Sequence, residues 1–191
     1  MRAGIVFRSA LVLLALASWA GCSSAPESSR DTSVPVVHRS RDGRLQYVTP
    51  PGWFDATADS QAAGHVVWII RNDYGGTLTI DEVRFDAAAR AAVREEGLEP
   101  LAQLLMTLPS GDRAVSRLSG PETFEREGKV FCGYQVEVYE TRDLVRVVLF
   151  RVEDRVYAST LVVPAAVRDR GPEPLLEAQT AFLMAVAWIS L

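Results

Sequence analysis

Residues 129–163 read KVFCGYQVEVYETRDLVRVVLFRVEDRVYASTLVV, and this stretch decides the fold class of the chain. Its runs of β-branched and aromatic residues predict strands at 129–139, 144–152 and 155–163, preceded by one at 122–126. Short polar turns separate these strands at Glu127-Gly128 and at Glu153-Asp154. The pattern therefore predicts an antiparallel meander.

The predicted strand 144–152 differs from its neighbours because both of its alternating sets of residues are largely apolar. A strand with one solvated face would alternate apolar with polar residues, so this strand is expected to be buried on both faces. A central position in the sheet, with helices above and below, follows from that pattern.

Further strands are predicted before the meander. Gln46-Tyr47-Val48 favours a strand that ends at two prolines, after which Trp53 is expected to drop into the core. Residues 66–70 and 77–83 are β-rich and flank the turn-like segment 72–76. They predict a hairpin.

Helices are predicted from capping residues and from periodicity. Asp86 caps a helix that runs to Glu96 and stops at Gly97, and Pro100 opens a second helix. One face of this second helix is expected to pack on the sheet, because leucines recur at helical spacing. These leucines are Leu101, Leu104, Leu105 and Leu108. The apolar segment 175–189 predicts a last, docked helix.

With these elements in order, the chain resembles the PsbP-like family over roughly residues 45–191. The resemblance is carried by Tyr47-Val48-Thr49-Pro50-Pro51-Gly52-Trp53 after a first strand, the central helix, the meander and a terminal helix ending near Ala187-Trp188. It implies an α+β fold, an α/β/α sandwich with a central antiparallel sheet of about six to seven strands. Such proteins include an extrinsic photosystem subunit, a nuclear-import factor and small bacterial lipoproteins, so the resemblance also implies non-enzymatic protein binding.

The amino terminus resembles a bacterial lipoprotein signal peptide. An apolar run ends in Ser18-Trp19-Ala20-Gly21-Cys22 and is too short to span a bilayer. Residues 1–21 are thus expected to be removed and Cys22 to be acylated, which would anchor the chain to a membrane. The alternative is an ordinary secretory signal. Ser23 instead of Asp after the cysteine favours the outer membrane, facing the periplasm in a Gram-negative cell.

Residues 22–42 are polar and predict a flexible tether, so the globular domain is expected over 43–191 as a single unit. His38 and neighbouring arginines are interpreted as a solvated linker end, with contact to headgroups or a partner as the alternative. Removing Arg2 and Arg8 from 20 basic residues leaves 18 against 24 acidic ones, a net charge of −6. That balance argues against nucleic acid as a partner.

The sequence contains few residues of the types that commonly act in catalysis. The sequence has two histidines, His38 in the tether and His65 at a strand edge, and it has no nucleotide-binding or hydrolase motif. Asp81 and Glu82 are adjacent on a strand and should face opposite sides. Cys132 lies on an apolar alternate set and is expected to be a buried, inert thiol. We therefore predict no catalytic residue, no cofactor and no metal site.

The sequence thus favours an envelope lipoprotein that binds a protein partner. The predicted interaction face is Trp53, Phe54 and Tyr74, together with the loop 109–112, because exposed aromatic residues anchor interfaces. For Trp53 the place in the core that is expected from its position after the two prolines is the alternative to this face. Two other functions stay open: a small ligand bound in an apolar pocket between sheet and helix, and an enzyme with an acidic site.

Overall fold

The computed structural model of the chain describes residues 36–107 and 114–189. The signal peptide, Cys22 and the loop 109–112 lie outside the described residues. The predictions made for them stay predictions.

The described chain contains short and long strands with helices between them. The strands are β1 (Val37–Arg39), β2 (Leu45–Val48), β3 (Trp53–Asp55), β4 (Val67–Arg71), β5 (Thr77–Val83), β6 (Val115–Arg126), β7 (Lys129–Val138), β8 (Leu144–Val152), β9 (Arg155–Val163) and β10 (Ala187–Trp188). The helices are α1 (Ala87–Glu96), α2 (Glu99–Thr107), α3 (Ala165–Arg168) and α4 (Glu173–Ala185), with a 3₁₀ turn at Ser60–Ala62.

Seven of these strands form one antiparallel sheet in the order β3-β4-β5-β9-β8-β7-β6. The predicted meander and the β4–β5 hairpin are both confirmed. At the β6–β7 turn, Glu127 and Gly128 have φ of 51° and 75°. Positive φ at both central residues is the primed turn geometry that matches the twist of paired strands.

A second sheet has three strands in the order β1-β2-β10, and it packs with α4 on one face of the large sheet. The helices α1 and α2 connect β5 to β6 at the far edge and pack on the other face of the large sheet. The predicted α+β sandwich is confirmed. Asp86 caps α1 through its side chain and Gly97 ends it, also as predicted.

Two apolar clusters fill the space between these layers. Val148 and Phe150 of β8 belong to the cluster under α4, whereas Leu149 belongs to the cluster under α1 and α2. The prediction that residues 144–152 form a central strand buried on both faces is therefore confirmed.

The predicted start of the domain at residue 43 is wrong, because β1 at Val37–Arg39 already pairs with β2. His38 lies opposite Tyr47, stacks on its ring at 5.5 Å, and places Nδ1 2.8 Å from Asp55 Oδ2. His38 is thus part of the fold and not of a linker. The polar composition of the segment concealed a short strand whose backbone pairs with β2 and whose central side chain contacts Tyr47 and Asp55.

The predicted terminal helix is too long. Helix α4 ends at Ala185, the next residue Val186 is buried, and Ala187–Trp188 form β10 against β2. The periodicity of an apolar run does not distinguish a buried helix from a buried strand over so few residues.

The predicted face of α2 is also shifted. Leu104 is 51% exposed, whereas Leu98, Leu101 and Ala102 are buried and Leu105 packs beside them. These four positions again follow helical spacing, but the series starts at Leu98, just before the helix. Leu101 belongs to both series, and because residue 104 is also a leucine, the sequence fits the predicted series as well as the observed one.

Lys129, the only lysine in the sequence, joins the start of β7 to the end of α4. Its Nζ donates to the carbonyl oxygens of Met184 at 2.9 Å and Val186 at 3.0 Å, and it lies 4.7 Å from the centre of the Trp188 ring. A cation here also offsets the negative end of the helix dipole.

Replacing this lysine, Lys129→Met, is expected to lower the free energy of unfolding by about 2 kcal/mol, because two charge-assisted hydrogen bonds are lost. Urea denaturation followed by circular dichroism measures this. Arg151→Met, at an exposed site on β8, is the matched control and should leave the midpoint unchanged. Equal midpoints for Lys129→Met and the control would contradict the assigned role.

Candidate functional site

The structure brings together two of the three residues predicted for an interaction face. Phe54 and Tyr74 are 38% and 73% exposed, and their rings meet edge to face with centroids 6.2 Å apart. Trp53 precedes Phe54 on β3 and so projects to the opposite side of the sheet. There it is half-buried and packs against the core under α4, which is the alternative that the sequence left open.

The exposed ring of Phe54 continues into apolar side chains on the same sheet face. Ile70 lies directly opposite Phe54 across the β3–β4 pair, and Trp68 comes two residues before Ile70 on β4, on the same face. Both are half-buried. We call Phe54, Trp68, Ile70 and Tyr74 the aromatic patch.

The topology explains why this part of the face is left without a helix. Helices α1 and α2 begin after β5 and run toward β6, and α2 packs on β6 and β7. The apolar cluster beneath them extends to Val145 and Val147 on β8 and to Ala158 on β9. Strands β3 and β4 lie on the other side of β5, away from the path of these helices.

Tyr74 has an unusual backbone. Its φ is 56°, in the left-handed region that costs a bulky residue about 1 kcal/mol or more. The turn holds it there, since Tyr74 N donates to Arg71 O at 2.8 Å and Asp73 Oδ1 accepts from Gly75 N at 2.9 Å. An exposed aromatic ring at a position suited to glycine gains nothing from core packing, which favours a role in contact with another molecule.

A second candidate site lies between the sheet and α2. A cavity of about 300 Å³ is formed mainly by apolar side chains. Its lining consists of Leu105, Met106, Val115, Tyr134, Val136, Val138, Val145, Val147 and Thr160. The location corresponds to the apolar pocket that the sequence left open as an alternative.

The acidic residues considered for catalysis take different partners. Asp81 Oδ1 lies 2.7 Å from His65 Nδ1, and Glu82 accepts from Arg155 Nη1 through both oxygens, at 2.8 and 2.9 Å. Asp81 and Glu82 also line a cavity of about 620 Å³ with Arg41, Asp42, Ala63, Gly64, His65, Val66 and Arg84. In this arrangement the two carboxylates hold neighbouring elements together.

Cys132 is buried, as predicted, and burial raises the pKa of its thiol. A raised pKa reduces the thiolate fraction, so this cysteine is a poor nucleophile. Among the described residues, no three His, Cys, Asp or Glu side chains are grouped to hold a metal ion. No helix within residues 36–107 and 114–189 has the length and hydropathy to cross a membrane.

Sequence reasoning missed the polar contact that joins the two sheets. Asp42 Oδ2 accepts from Tyr157 Oη at 2.8 Å, and Oδ1 accepts from Ser40 Oγ at 2.6 Å and Arg44 N at 3.1 Å. Burial by itself would raise the pKa of Asp42, but these hydrogen bonds outweigh it and the pKa is lowered. Nearby, burial raises the pKa of Tyr47 to about 12.

The comparisons with known proteins concern the fold. No family model and no curated protein matches the sequence. The solution structure of cyanobacterial PsbP (CyanoP) from Synechocystis matches with a TM-score of 0.52 and 12% identity, over 81% of this chain and 92% of that one. The Ran-binding protein Mog1p of Saccharomyces cerevisiae matches with a TM-score of 0.50 and 12% identity, over 81% and 95%. The fold is PsbP/Mog1-like. It confirms the fold class predicted from the resemblance.

The Asp42 contact gives a test of how the small sheet is held. Because its pKa is lower in the folded state, Asp42 contributes stability at neutral pH that is lost as the pH falls through its folded pKa, below about pH 4. Asp42→Asn should therefore lower the free energy of unfolding at pH 7 by about 1 to 2 kcal/mol. Below about pH 4 the gap between variant and parent should narrow.

Urea unfolding of both proteins at neutral and at acid pH measures the two free energies. Asp154→Asn, at an exposed turn residue, is the control for a general effect of removing one negative charge. A gap between Asp42→Asn and the parent that does not change with pH would show that the charge of Asp42 is not what stabilises the contact.

Proposed function

We propose that this protein is a non-enzymatic accessory factor of the cell envelope, anchored by lipid at Cys22, that binds a protein partner through the aromatic patch. The observation that carries the proposal is the exposed Phe54–Tyr74 pair, with Tyr74 held at φ 56°. Aromatic side chains dominate the energetics of protein interfaces because they bury a large area at low entropic cost.

The charges around the patch indicate what kind of partner fits. At the rim of the patch, Arg71 Nε lies 3.1 Å from Asp73 Oδ1, and the opposite charges of these two side chains cancel. The half-buried part of the patch, Trp68 and Ile70, is apolar. We therefore propose that the partner contributes an apolar segment and that its net charge has little influence on binding. Mog1p, which has the same fold, is a Ran-binding protein, and this supports a protein as the partner class.

Substituting glycine for the strained tyrosine separates binding from stability. Tyr74→Gly should leave the free energy of unfolding close to that of the parent, because relief of about 1 kcal/mol of backbone strain offsets the loss of the edge-to-face contact with Phe54. It should nevertheless weaken partner binding by about 1.4 kcal/mol or more, which is tenfold in Kd. Thermal unfolding and binding to the purified partner measure the two effects.

The partner is first identified by a photo-crosslinking side chain placed at residue 74 of the full, lipidated chain in cells. Tyr139, which is 70% exposed at the end of β7, provides the control position. A discrete adduct from residue 74 and none from residue 139 is the expected result. The same adducts from both positions, or a Tyr74→Gly chain that binds the purified partner as the parent does, would overturn the proposal.

Anchoring is the second part of the proposal, and it rests on the sequence Ala20-Gly21-Cys22. Mass spectrometry of the amino-terminal peptide should find Cys22 as the first residue, carrying acyl chains. Cys22→Ala should leave the chain uncleaved at this site and without these acyl chains. A mature chain that begins at another residue, or an unmodified Cys22, would favour an ordinary secretory signal. An outer-membrane location in a Gram-negative cell is proposed from Ser23.

A small apolar ligand is the second candidate function, and the cavity of about 300 Å³ under α2 favours it. Cavities of this size and lining suit a small apolar molecule. A ligand that copurifies with the full chain and is identified by mass spectrometry would favour this function over protein binding at the aromatic patch.

A further inference from the structure

Another cavity lies on the face of the large sheet that α4 covers, where β6, β7 and β8 meet this helix. Its volume is about 250 Å³. The polar side chains that line it are Ser119, Glu122, Arg126, Gln135, Arg146 and Thr180. Ser119, Gln135 and Arg146 lie side by side across three strands, because each is opposite the next in the strand register.

Arg146 is the central cation of this cavity. Its Nη1 donates to Leu176 O at 2.8 Å and to Thr180 Oγ1 at 3.0 Å, both on α4. These acceptors are neutral. Within the part of the chain that the structure describes, no carboxylate forms an ion pair with Arg146 and no acceptor binds Nε or Nη2.

Arg146 is half-buried and has no anionic partner, so part of its guanidinium loses hydration without an opposite charge to replace it. Nε and Nη2 are not among the buried unpaired atoms, so these two nitrogens stay accessible to a ligand. The same burial lowers the pKa of Arg146, although an arginine stays protonated in proteins. Neighbouring residues of β8 that face α4 are apolar, and an apolar residue here would avoid the cost. The contacts to Leu176 and Thr180 fix Nη1 and leave two donor nitrogens of the planar fork unused.

Gly133 provides an independent observation. It lies on β7 beside Gln135, on the same sheet face, where a side chain would occupy the cavity. A Cβ built there would lie 3.5 Å from Phe124 Cε1, Val147 O and Val148 Cγ2, which is ordinary contact. Packing therefore does not require glycine, and glycine in a strand interior weakens the strand. In a strand such a glycine marks a bulge or a place where a ligand approaches closely. Gly133 lies opposite Glu122, where β6 shifts register, and it leaves the cavity wall beside Gln135 without a side chain.

We infer that Arg146 binds the carboxylate of a small ligand in this cavity. Arginine matches a carboxylate through paired hydrogen bonds, and the unused nitrogens supply them. Two arginines and one glutamate line the cavity, so the lining favours a single negative charge. The carboxylate belongs either to a free small acid or to the carboxyl terminus of a peptide. The cavity and the aromatic patch lie on different faces of the sheet, so this inference does not depend on the proposed function.

The probes are N-acetyl-Ala-Ala with a free carboxylate, the same peptide as its neutral carboxyl-terminal amide, and propionate. Nuclear magnetic resonance of the full ¹⁵N-labelled chain in detergent follows the amide signals of Gly133, Gln135 and Arg146 during titration. We expect saturable shifts with a carboxylate probe, with Kd near 1 mM or below, and none with the amide. Binding of propionate as tight as that of the peptide acid indicates a free acid, and binding of the peptide acid alone indicates a peptide terminus.

Arg146→Met keeps a side chain of similar length without the charge and should raise Kd by about tenfold or more. Arg151→Met on the same strand, at an exposed site, is the control and should bind as the parent does. Gly133→Ala leaves Arg146 in place and should also weaken binding, so the inference stays testable if Arg146→Met does not fold. Equal binding of acid and amide, no saturable shift with either acid, or unchanged binding in the folded variants would overturn it.

Discussion

Strand β5 pairs with β9 along its whole length, from Thr77 opposite Val162 to Val83 opposite Val156. This pairing joins the amino-terminal hairpin to the carboxyl-terminal meander and makes one sheet of two parts. Because β9 occupies the edge of β5, the chain after β5 must cross the meander to reach the free edge at β7. The helices α1 and α2 form this crossing and cover the half of the sheet face over the meander. The other half of that face, on β3 and β4, lies outside their path and carries the aromatic patch.

The sequence was sufficient for the parts of the fold that rest on local patterns. The alternation within residues 144–152, the turn at Glu127-Gly128 and the Asp86 cap each depend on neighbouring residues, and each is confirmed. Phe54 and Tyr74 were found by their residue type in turn-like surroundings. Trp68 and Ile70 join them only through the β3–β4 register, and alternation with Val67 and Ile69 was the signal in the sequence that pointed to one shared face.

Other features depend on partners that are distant in sequence, and local patterns carry no information about them. Asp42 and Tyr157 are 115 residues apart in the sequence and form a hydrogen bond in the structure. The segment that contains Asp42 was predicted to be a flexible tether, but it belongs to an ordered sheet. Gln179 is likewise buried and donates to Ser159 O at 3.2 Å and to Ser159 Oγ at 3.1 Å. In the sequence, Arg146 is a single polar residue within a largely apolar strand. In the structure it donates to α4 and lines a cavity together with Gly133.

The single lysine has a consequence for the chemistry of the folded chain. Lys129 is the one side-chain primary amine that the sequence contains, and its ammonium is engaged by two carbonyl oxygens at the end of α4. A hydrogen-bonded ammonium is a poor nucleophile until it is released and deprotonated. Acylation of this amine therefore requires the side chain to leave the carbonyl oxygens of Met184 and Val186, and its rate reports how often this contact between β7 and the end of α4 opens.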